Sequence, residues 1–203
     1  MRKSVGHIYG QNLAPFKTVP RPHSRFNGFV RKLLGLVLAL SVTAGTVHCP
    51  EVEIVKQAGT ALMAAARAGS PSQFARALRT HADMDTITMF ALGKHRNKLP
   101  SSKRRQLVSL TTSFISRTFN DYRLKFKAKS MKVEDCRRGT VRTMFKFLGV
   151  QGKQPVIWRL KGTRIVDVNI QSIWLAQLLR SEFYRVMAES NGDIDALFRH
   201  LRN

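Results

Sequence analysis

The 28 residues from Val156 to Phe183 constrain the fold more strongly than any other stretch of the chain. Two runs rich in β-branched and aromatic residues, Val156–Lys161 and Arg164–Ile170, are joined through Gly162, and this spacing is typical of a tight β-hairpin. After Ser172, a plausible helix N-cap, the apolar residues recur at helical spacing. The stretch therefore predicts two paired strands that lead directly into a helix.

The residues before this stretch divide into a helical part and a part with the period of strands. Ser70 and Pro71 together predict a helix start, since serine is a preferred N-cap and proline is favoured in the first turn. From Leu124 to Lys129 apolar residues alternate with lysines, which indicates a half-buried antiparallel strand. The predicted fold class is α+β: a helical N-terminal half, a curved, mainly antiparallel sheet of four to five strands in meander order, and C-terminal helices. The remaining predicted elements are helices Glu51–Ala68, Ser102–Tyr122, Ile173–Ala188 and Asp193–Arg202, two short helices after the first of these, and strands Met131–Cys136 and Thr140–Val150.

The chain carries a large excess of positive charge, because 35 Lys and Arg against 12 Asp and Glu give a net +23. Such an excess favours nucleic acid, an anionic membrane surface or an acidic protein as partner, and it does not choose among them. Without the first 44 residues, which hold seven bases and no acid, 28 bases would still face 12 acids. The basic character therefore does not come from the N-terminal segment alone.

Residues 1–44 have the pattern of a secretory signal peptide. Basic residues precede an apolar run of about a dozen residues, and Val42-Thr43-Ala44 matches a small-x-small cleavage site. The run is too short to span a bilayer, which takes about 20 residues. We expect export to the periplasm and a mature single domain of residues 45–203, with an uncleaved anchor or a buried helix as the alternative. The basic segment is long for a signal peptide, which suggests a true translation start near Val30.

The two cysteines of the exported part, Cys49 and Cys136, could pair in an oxidising compartment. The sequence does not decide whether they do. Lipid modification of Cys49 is the less favoured alternative, because Thr46-Val47-His48 lacks the small residues expected before a lipoprotein cysteine.

No motif in the sequence indicates catalysis. The chain has no Gly-x-Ser-x-Gly, no phosphate-binding glycine loop, no His-Glu-x-x-His and no Cys-x-x-Cys. His81–Asp85 contains three side chains of metal-ligand type, but an N-cap by Asp83 or Asp85 is the simpler interpretation. Lys103–Arg105 is interpreted as a solvated first helical turn, because no base-stacking aromatic surface accompanies it. We expect no enzyme activity, no cofactor, no metal and no nucleic-acid partner.

Two separated stretches resemble a known family. The strand residues Ile165–Val168, followed by a turn into a helix with Arg180-x-x-Phe183, are similar to the end of MlaC-type periplasmic phospholipid-binding proteins, also called the toluene-tolerance family. The segment from Ala91 to Arg96, with Leu99-Pro100 beyond it, resembles the Leu-Gly-Arg-x-x-Arg helix end of that family. The resemblance covers about Val52 to Arg202. It implies a soluble periplasmic protein that shuttles glycerophospholipid between an outer-membrane lipoprotein complex and an inner-membrane ABC transporter, and thereby maintains outer-membrane lipid asymmetry.

A lipid carrier must shield acyl chains from water. At roughly 0.8 kcal/mol per methylene, a ~16-carbon chain costs on the order of 12 kcal/mol to expose. We therefore expect the sheet and helices to enclose an apolar cavity, the alternative being that the same side chains pack a solid core. The candidate residues that face the lipid tails are Leu107, Phe114, Phe119, Phe145, Phe147, Trp158, Leu160, Val166, Val168, Trp174 and Leu178.

Arg180 and Asp167 are predicted to form a partly buried ion pair that ties the helix to the sheet. Arg180 shares a helix with apolar neighbours and needs an acceptor for its guanidinium, and Asp167 is the acid on the neighbouring strand. The protein is expected to be a monomer. The alternative function, from a different class, is a secreted basic protein that adheres to nucleic acid or anionic surface polymers without a ligand pocket.

Overall fold

The computed structural model of the protein describes residues 49–121 and 127–203. Four helices come first, five strands follow, and two helices end the chain, which confirms the α+β class with a helical N-terminal half. Two short 3₁₀ segments, 93–98 and 101–103, lie between the third and fourth helices. The helices are α1 Glu51–Ala68, α2 Pro71–His81, α3 Met84–Leu92, α4 Arg104–Asp121, α5 Leu175–Glu189 and α6 Ile194–Arg202, and the strands are β1 Ala128–Arg137, β2 Thr140–Phe147, β3 Gln154–Lys161, β4 Arg164–Ile170 and β5 Ile173–Trp174.

Side-chain caps fix the starts of three helices. The Ser70 hydroxyl accepts the Gln73 N–H at 3.3 Å before α2, and Asp83 accepts the Thr86 N–H at 2.9 Å before α3. Asp193 accepts the Asp195 N–H at 2.8 Å before α6. Each cap satisfies a backbone donor that the helix leaves free, a contribution of about 1 kcal/mol. Asp83 therefore acts as the cap that the sequence suggested.

The sheet is an antiparallel meander in the order β1-β2-β3-β4-β5. Where the sequence predicted two strands, Leu124–Lys129 and Met131–Cys136, the structure has the single strand β1. Residues 124–126 of the first lie outside the described part. The ladder with β2 shifts register between Ala128 and Ser130 and between Val133 and Asp135. These irregularities break the alternation on which the prediction depended.

The β4–α5 corner differs from its prediction. Ile173 and Trp174 pair with Ile170 and Asn169 as the short strand β5, so α5 begins at Leu175. Ser172 has φ 67° and lies in the tight turn between the two strands, so it is not an N-cap. Backbone pairing to the edge of the sheet thus delays the helix by two residues.

Helices cover the inner face of the sheet. α1 contacts β1 and β2, while α3 and α5 contact β4, and α4 packs against α2, α3 and α6. Val55, Leu107, Val141 and Phe183 are fully buried between these elements. In the described part of the chain, no helix is long and apolar enough to cross a membrane.

A disulfide joins Cys49 to Cys136 and settles the pairing that the sequence left open. It links the start of α1 to the end of β1, with the two Cα atoms 6.5 Å apart and a sequence separation of 87. In the chain-entropy account, closing a loop of that length stabilises the fold by roughly 4–5 kcal/mol at most. The N-terminal end of α1 is therefore held firmly against the sheet.

Candidate functional site

An apolar cavity of about 80 Å³ lies between the sheet and the helices. Its walls come from α1, α2, the end of α4 and strands β1 to β4, and no lining side chain carries a charge. The lining residues are Gly59, Leu62, Met63, Ala66, Phe74, Phe119, Ala128, Phe145, Phe147, Val156, Trp158, Val168 and Ile170.

Alternation along the strands builds the sheet wall. Directly opposite residues in an antiparallel pair share a face, and Trp158 pairs with Val168 as Val156 pairs with Ile170. Phe145 stacks on a neighbouring wall residue of β2, Phe147, with ring centroids 5.6 Å apart. The lining residues of β2, β3 and β4 are therefore two apart in sequence on each strand.

The polar atom of the indole in this wall is bonded inside the sheet. The Trp158 Nε1–H donates to the Thr143 hydroxyl at 2.8 Å, and that hydroxyl donates to the Val156 carbonyl at 3.1 Å. Both side chains are buried, with Thr143 fully so. Because a buried donor without a partner costs about 1–3 kcal/mol, this chain of bonds lets the wall present only its apolar surface to the cavity.

Small and flexible side chains build the helical wall. Gly59, Leu62, Met63 and Ala66 follow one face of α1 at helical spacing. An added Cβ on Gly59 would lie 2.5 Å from the Met131 sulfur, so α1 approaches the sheet at a distance that a larger residue would change. Phe74 of α2 stacks on Phe119 of α4 at 5.1 Å and closes the wall.

Five of the eleven predicted tail-facing residues line this cavity, namely Phe119, Phe145, Phe147, Trp158 and Val168. Their role in binding lipid stays a prediction. Leu107 and Leu160 are buried in the core away from the cavity, and Phe114 is half-buried with its ring 5.5 Å from that of His200. The other three, Val166, Trp174 and Leu178, also lie outside the lining.

Local features of the structure explain why Val166, Trp174 and Leu178 do not line the cavity. The β3–β4 ladder shifts register at Arg159 and Leu160, so Ile165 takes the inward place that simple alternation gave to Val166. The Trp174 ring lies under the Arg159 guanidinium, 3.7 Å from it. Leu178 is 57% exposed because it lies off the face of α5 that buries Leu179 and Phe183.

Sequence reasoning missed eight lining residues, and four of them are on α1. The spacing of Gly59, Leu62, Met63 and Ala66 was the available signal, but glycine and alanine carry little apolar contrast. The others are Phe74, Ala128, Val156 and Ile170.

The predicted ion pair of Arg180 and Asp167 is wrong. In the described part of the chain, each of the two side chains has other partners. Asp167 Oδ1 accepts the N–H groups of Val168 at 2.9 Å and of Ala176 at 3.0 Å. Because α5 begins at Leu175, its first N–H groups need an acceptor, and Asp167 is beside them. Burial raises the pKa of Asp167, and these two N–H groups and then Arg159 act in the opposite direction.

Arg180 instead bonds within α5 and faces α3. Its Nη2 donates to the Tyr184 hydroxyl at 3.0 Å, and its guanidinium lies 5.1 Å from the Phe90 ring. The Lys94 N–H donates to the same Tyr184 oxygen at 3.1 Å. This bond is the largest cause that lowers the pKa of Tyr184, and the bond from Arg180 is the next. A Cβ on Gly93, whose φ is 52°, would collide with both Arg180 and Tyr184. The two stretches that carry the family resemblance therefore meet here, in a structural junction away from the cavity.

A second hollow of about 310 Å³ is larger but polar. It lies where α2, α3, α4 and β4 meet, and Arg79, Arg105 and Arg164 line it together with Asp83 and Asp85. A lining with five ionised groups does not suit an acyl chain. The smaller, uncharged cavity is the candidate functional site.

The chain is similar to known proteins both in sequence and in fold. A family model described as MlaC protein matches residues 54–203. Among solved structures, a phospholipid-binding protein from Ralstonia solanacearum, determined in complex with a phospholipid, matches with a TM-score of 0.62 and 18% identity, over 74% of this chain and 93% of the other. No curated protein matches the chain significantly.

Proposed function

The chain belongs to the MlaC family, and from this premise we propose that it is a lipid carrier that holds the acyl tails of a phospholipid in the apolar cavity. The observation that carries the proposal is the uncharged lining of that cavity, to which strand β2 contributes two stacked aromatic rings. The Ralstonia protein of similar fold, which was determined with a phospholipid, supports it.

The cavity must widen to hold a tail. Its volume of about 80 Å³ is well below the roughly 300–1,000 Å³ typical of sites that enclose small ligands. Aromatic rings and hydrogen-bonded strands form one wall, so the change in volume falls to the helical wall of α1 and α2. Lipid uptake would then be coupled to a movement of these helices away from the sheet.

The setting of the carrier is part of the proposal. Residues 1–44 direct the chain to the periplasm and are removed to give a mature N-terminus near Gly45. The carrier, a monomer without catalytic activity, passes lipid between an outer-membrane lipoprotein complex and an inner-membrane ABC transporter. Intact-mass analysis of the exported fraction checks the first step, since a 23.0 kDa species there would contradict cleavage.

Native mass spectrometry of the mature protein, purified without added lipid, tests the function. We expect a bound species heavier by the mass of one two-tailed lipid, and extraction with organic solvent should release a phospholipid that thin-layer chromatography identifies. A protein that is lipid-free under all conditions, and that does not take up phospholipid from vesicles, would contradict the proposal. Binding of polyanions by such a lipid-free protein would favour the adhesive alternative.

A further inference from the structure

The cavity lies toward one end of the sheet, which we name the mouth end. Ala128 begins β1, Phe147 ends β2 and Ile170 ends β4, and all three line the cavity. Antiparallel pairing sets these residues side by side with the start of β3. The β2–β3 connection and the tight turn at residues 171–172 belong to the same end.

Positive charge at the mouth end has no acidic partner. Five bases flank the lining residues or the β2–β3 connection in sequence, and four of them are exposed while Lys127 is half-buried. Among the described residues none of the five forms an ion pair or a side-chain hydrogen bond. The five mouth bases are Arg67, Lys127, Lys129, Lys146 and Lys153.

The opposite end of the sheet is also basic, but acids pair with two of its bases. Asp135 pairs with Arg137 at 2.9 Å, and Glu134 pairs with Arg142 at 3.1 Å. Glu51 accepts the N–H of Gly139 in the β1–β2 turn at 3.2 Å. Both ends of the sheet therefore carry exposed bases, but the mouth bases, which lie beside the lining of the apolar cavity, form no ion pair in the described part of the chain.

An exposed apolar side chain continues the cavity lining to the surface. Ile173 of β5 pairs directly with Ile170, so the two side chains share a face of the sheet. Ile170 lines the cavity, whereas Ile173 is 58% exposed. Gln171 and Ser172, with φ values of 51° and 67°, form the turn that presents Ile173 at this edge.

We propose that the mouth end docks on an anionic phospholipid bilayer. The mouth bases contact the headgroups and Ile173 enters the interface, so that the cavity faces the acyl chains it takes up or releases. Cationic residues beside an exposed apolar side chain are the combination that binds such surfaces. This inference rests on the proposed carrier function, because a lipid could then move between bilayer and cavity without crossing water.

Vesicle sedimentation with the mature protein tests the docking. We compare vesicles of phosphatidylcholine alone with vesicles that also contain phosphatidylglycerol, at low and high salt. Each base near an anionic surface contributes about fivefold to the partition coefficient, so Lys129→Gln with Lys153→Gln should lower it roughly 25-fold at low salt. The matched control, Arg138→Gln with Lys161→Gln, removes the same charge from the opposite end and should lower it by less than about threefold.

Ile173→Ser tests the apolar contact separately. It should weaken binding by a few-fold, and the loss should persist at high salt because it is not electrostatic. Equal losses in the two double variants would overturn the proposal in favour of general charge attraction. No binding of the wild-type protein to anionic vesicles would overturn it as well, and so would binding only when an acidic membrane protein is reconstituted in them.

The docking and the carrier function can fail separately. If native mass spectrometry finds bound phospholipid but the vesicles do not bind the protein, the docking is wrong and the carrier function stands. If the mouth bases are required for vesicle binding but the protein never holds lipid, the docking stands and the carrier function is wrong.

Discussion

The two walls of the cavity are built by different means. In the sheet wall, ladder hydrogen bonds and the Trp158–Thr143 bond hold stacked aromatic rings in fixed positions. In the helical wall, Met63 presents a flexible side chain, and Gly59 has no side chain. A wall of the first kind sets the shape of the site, whereas a wall of the second kind lets its volume change.

The ends of α1 show the same contrast. The disulfide of Cys49 holds the start of the helix on the sheet, whereas the residues that line the cavity lie from the middle of the helix onward. Gly69, with φ 60°, ends the helix in a left-handed conformation that glycine adopts without strain. We therefore infer that α1 moves about its tethered end when the cavity widens.

The largest effect is expected from a charge in the sheet wall. Phe147 is 7% exposed, so Phe147→Asp buries a carboxylate without a partner and should lower the free energy of unfolding by about 3 kcal/mol or more. It should also abolish lipid co-purification. Urea unfolding and native mass spectrometry measure the two effects.

Two variants control this experiment. Met144→Asp places the same charge on the outer face of the same strand, where Met144 pairs with Pro155, and should leave lipid binding intact. Val168→Thr adds one hydroxyl to the cavity at constant volume and should weaken lipid retention several-fold while the protein stays folded. Full lipid binding by both cavity variants would show that the sheet wall does not contact the tails.

The sheet wall was largely predictable, because a period of two identifies Phe145, Phe147 and Trp158 without any tertiary information. The register shift that displaces Val166 was not predictable, since a bulge depends on pairing between strands. The helical wall was the harder part: Gly59 and Ala66 matter because they are small, and a search for apolar side chains passes over them. The role of Asp167 was missed because it depends on where α5 begins, which the pairing of β5 decides.

The second largest effect is expected from removal of the disulfide that holds the start of α1 on the sheet. Replacing Cys49 and Cys136 by Ser should lower the free energy of unfolding by about 2–4 kcal/mol. Without the tether the whole of α1 can leave the sheet, so lipid exchange with vesicles should become faster. Thermal unfolding and transfer of a fluorescent phospholipid measure these effects, and wild-type protein under reducing conditions should behave like the double variant. Unchanged exchange would contradict the movement of α1.

A smaller effect is expected at the β4 edge of the sheet wall. Asp167→Ala removes the acceptor for the N–H groups of Val168 and Ala176, at a cost of about 1–2 kcal/mol. Asp167→Asn keeps an acceptor oxygen and loses the charge. Burial raises the pKa of Asp167 in the folded protein above its unfolded pKa of 3.8. The stability that comes from this shift is therefore fully present below pH 3.8 and is lost as the pH rises through the folded pKa.

Melting temperatures as a function of pH therefore separate the two Asp167 variants. Asp167→Asn should match or exceed the wild-type protein at neutral pH, and this advantage should vanish as the solution is acidified. Asp167→Ala should be less stable than both at every pH. If the Asn variant is as unstable as the Ala variant at neutral pH, the carboxylate charge itself is needed, with Arg159 as its partner.

The smallest change in stability, and the sharpest test of the contrast between the walls, is expected for Gly59→Ala. Alanine favours the helix over glycine by about 1 kcal/mol. The new Cβ would lie 2.5 Å from the sulfur and 2.8 Å from the terminal methyl of Met131, and both are at the flexible end of that side chain. The two effects should nearly cancel, so the free energy of unfolding changes by less than about 1 kcal/mol, whereas the added methyl group fills part of the cavity and weakens lipid retention a few-fold. Met131→Ala in the same chain gives the space back and should restore retention. If Gly59→Ala instead destabilises the protein by several kcal/mol, Met131 cannot move, and the helical wall is as rigid as the sheet that it faces.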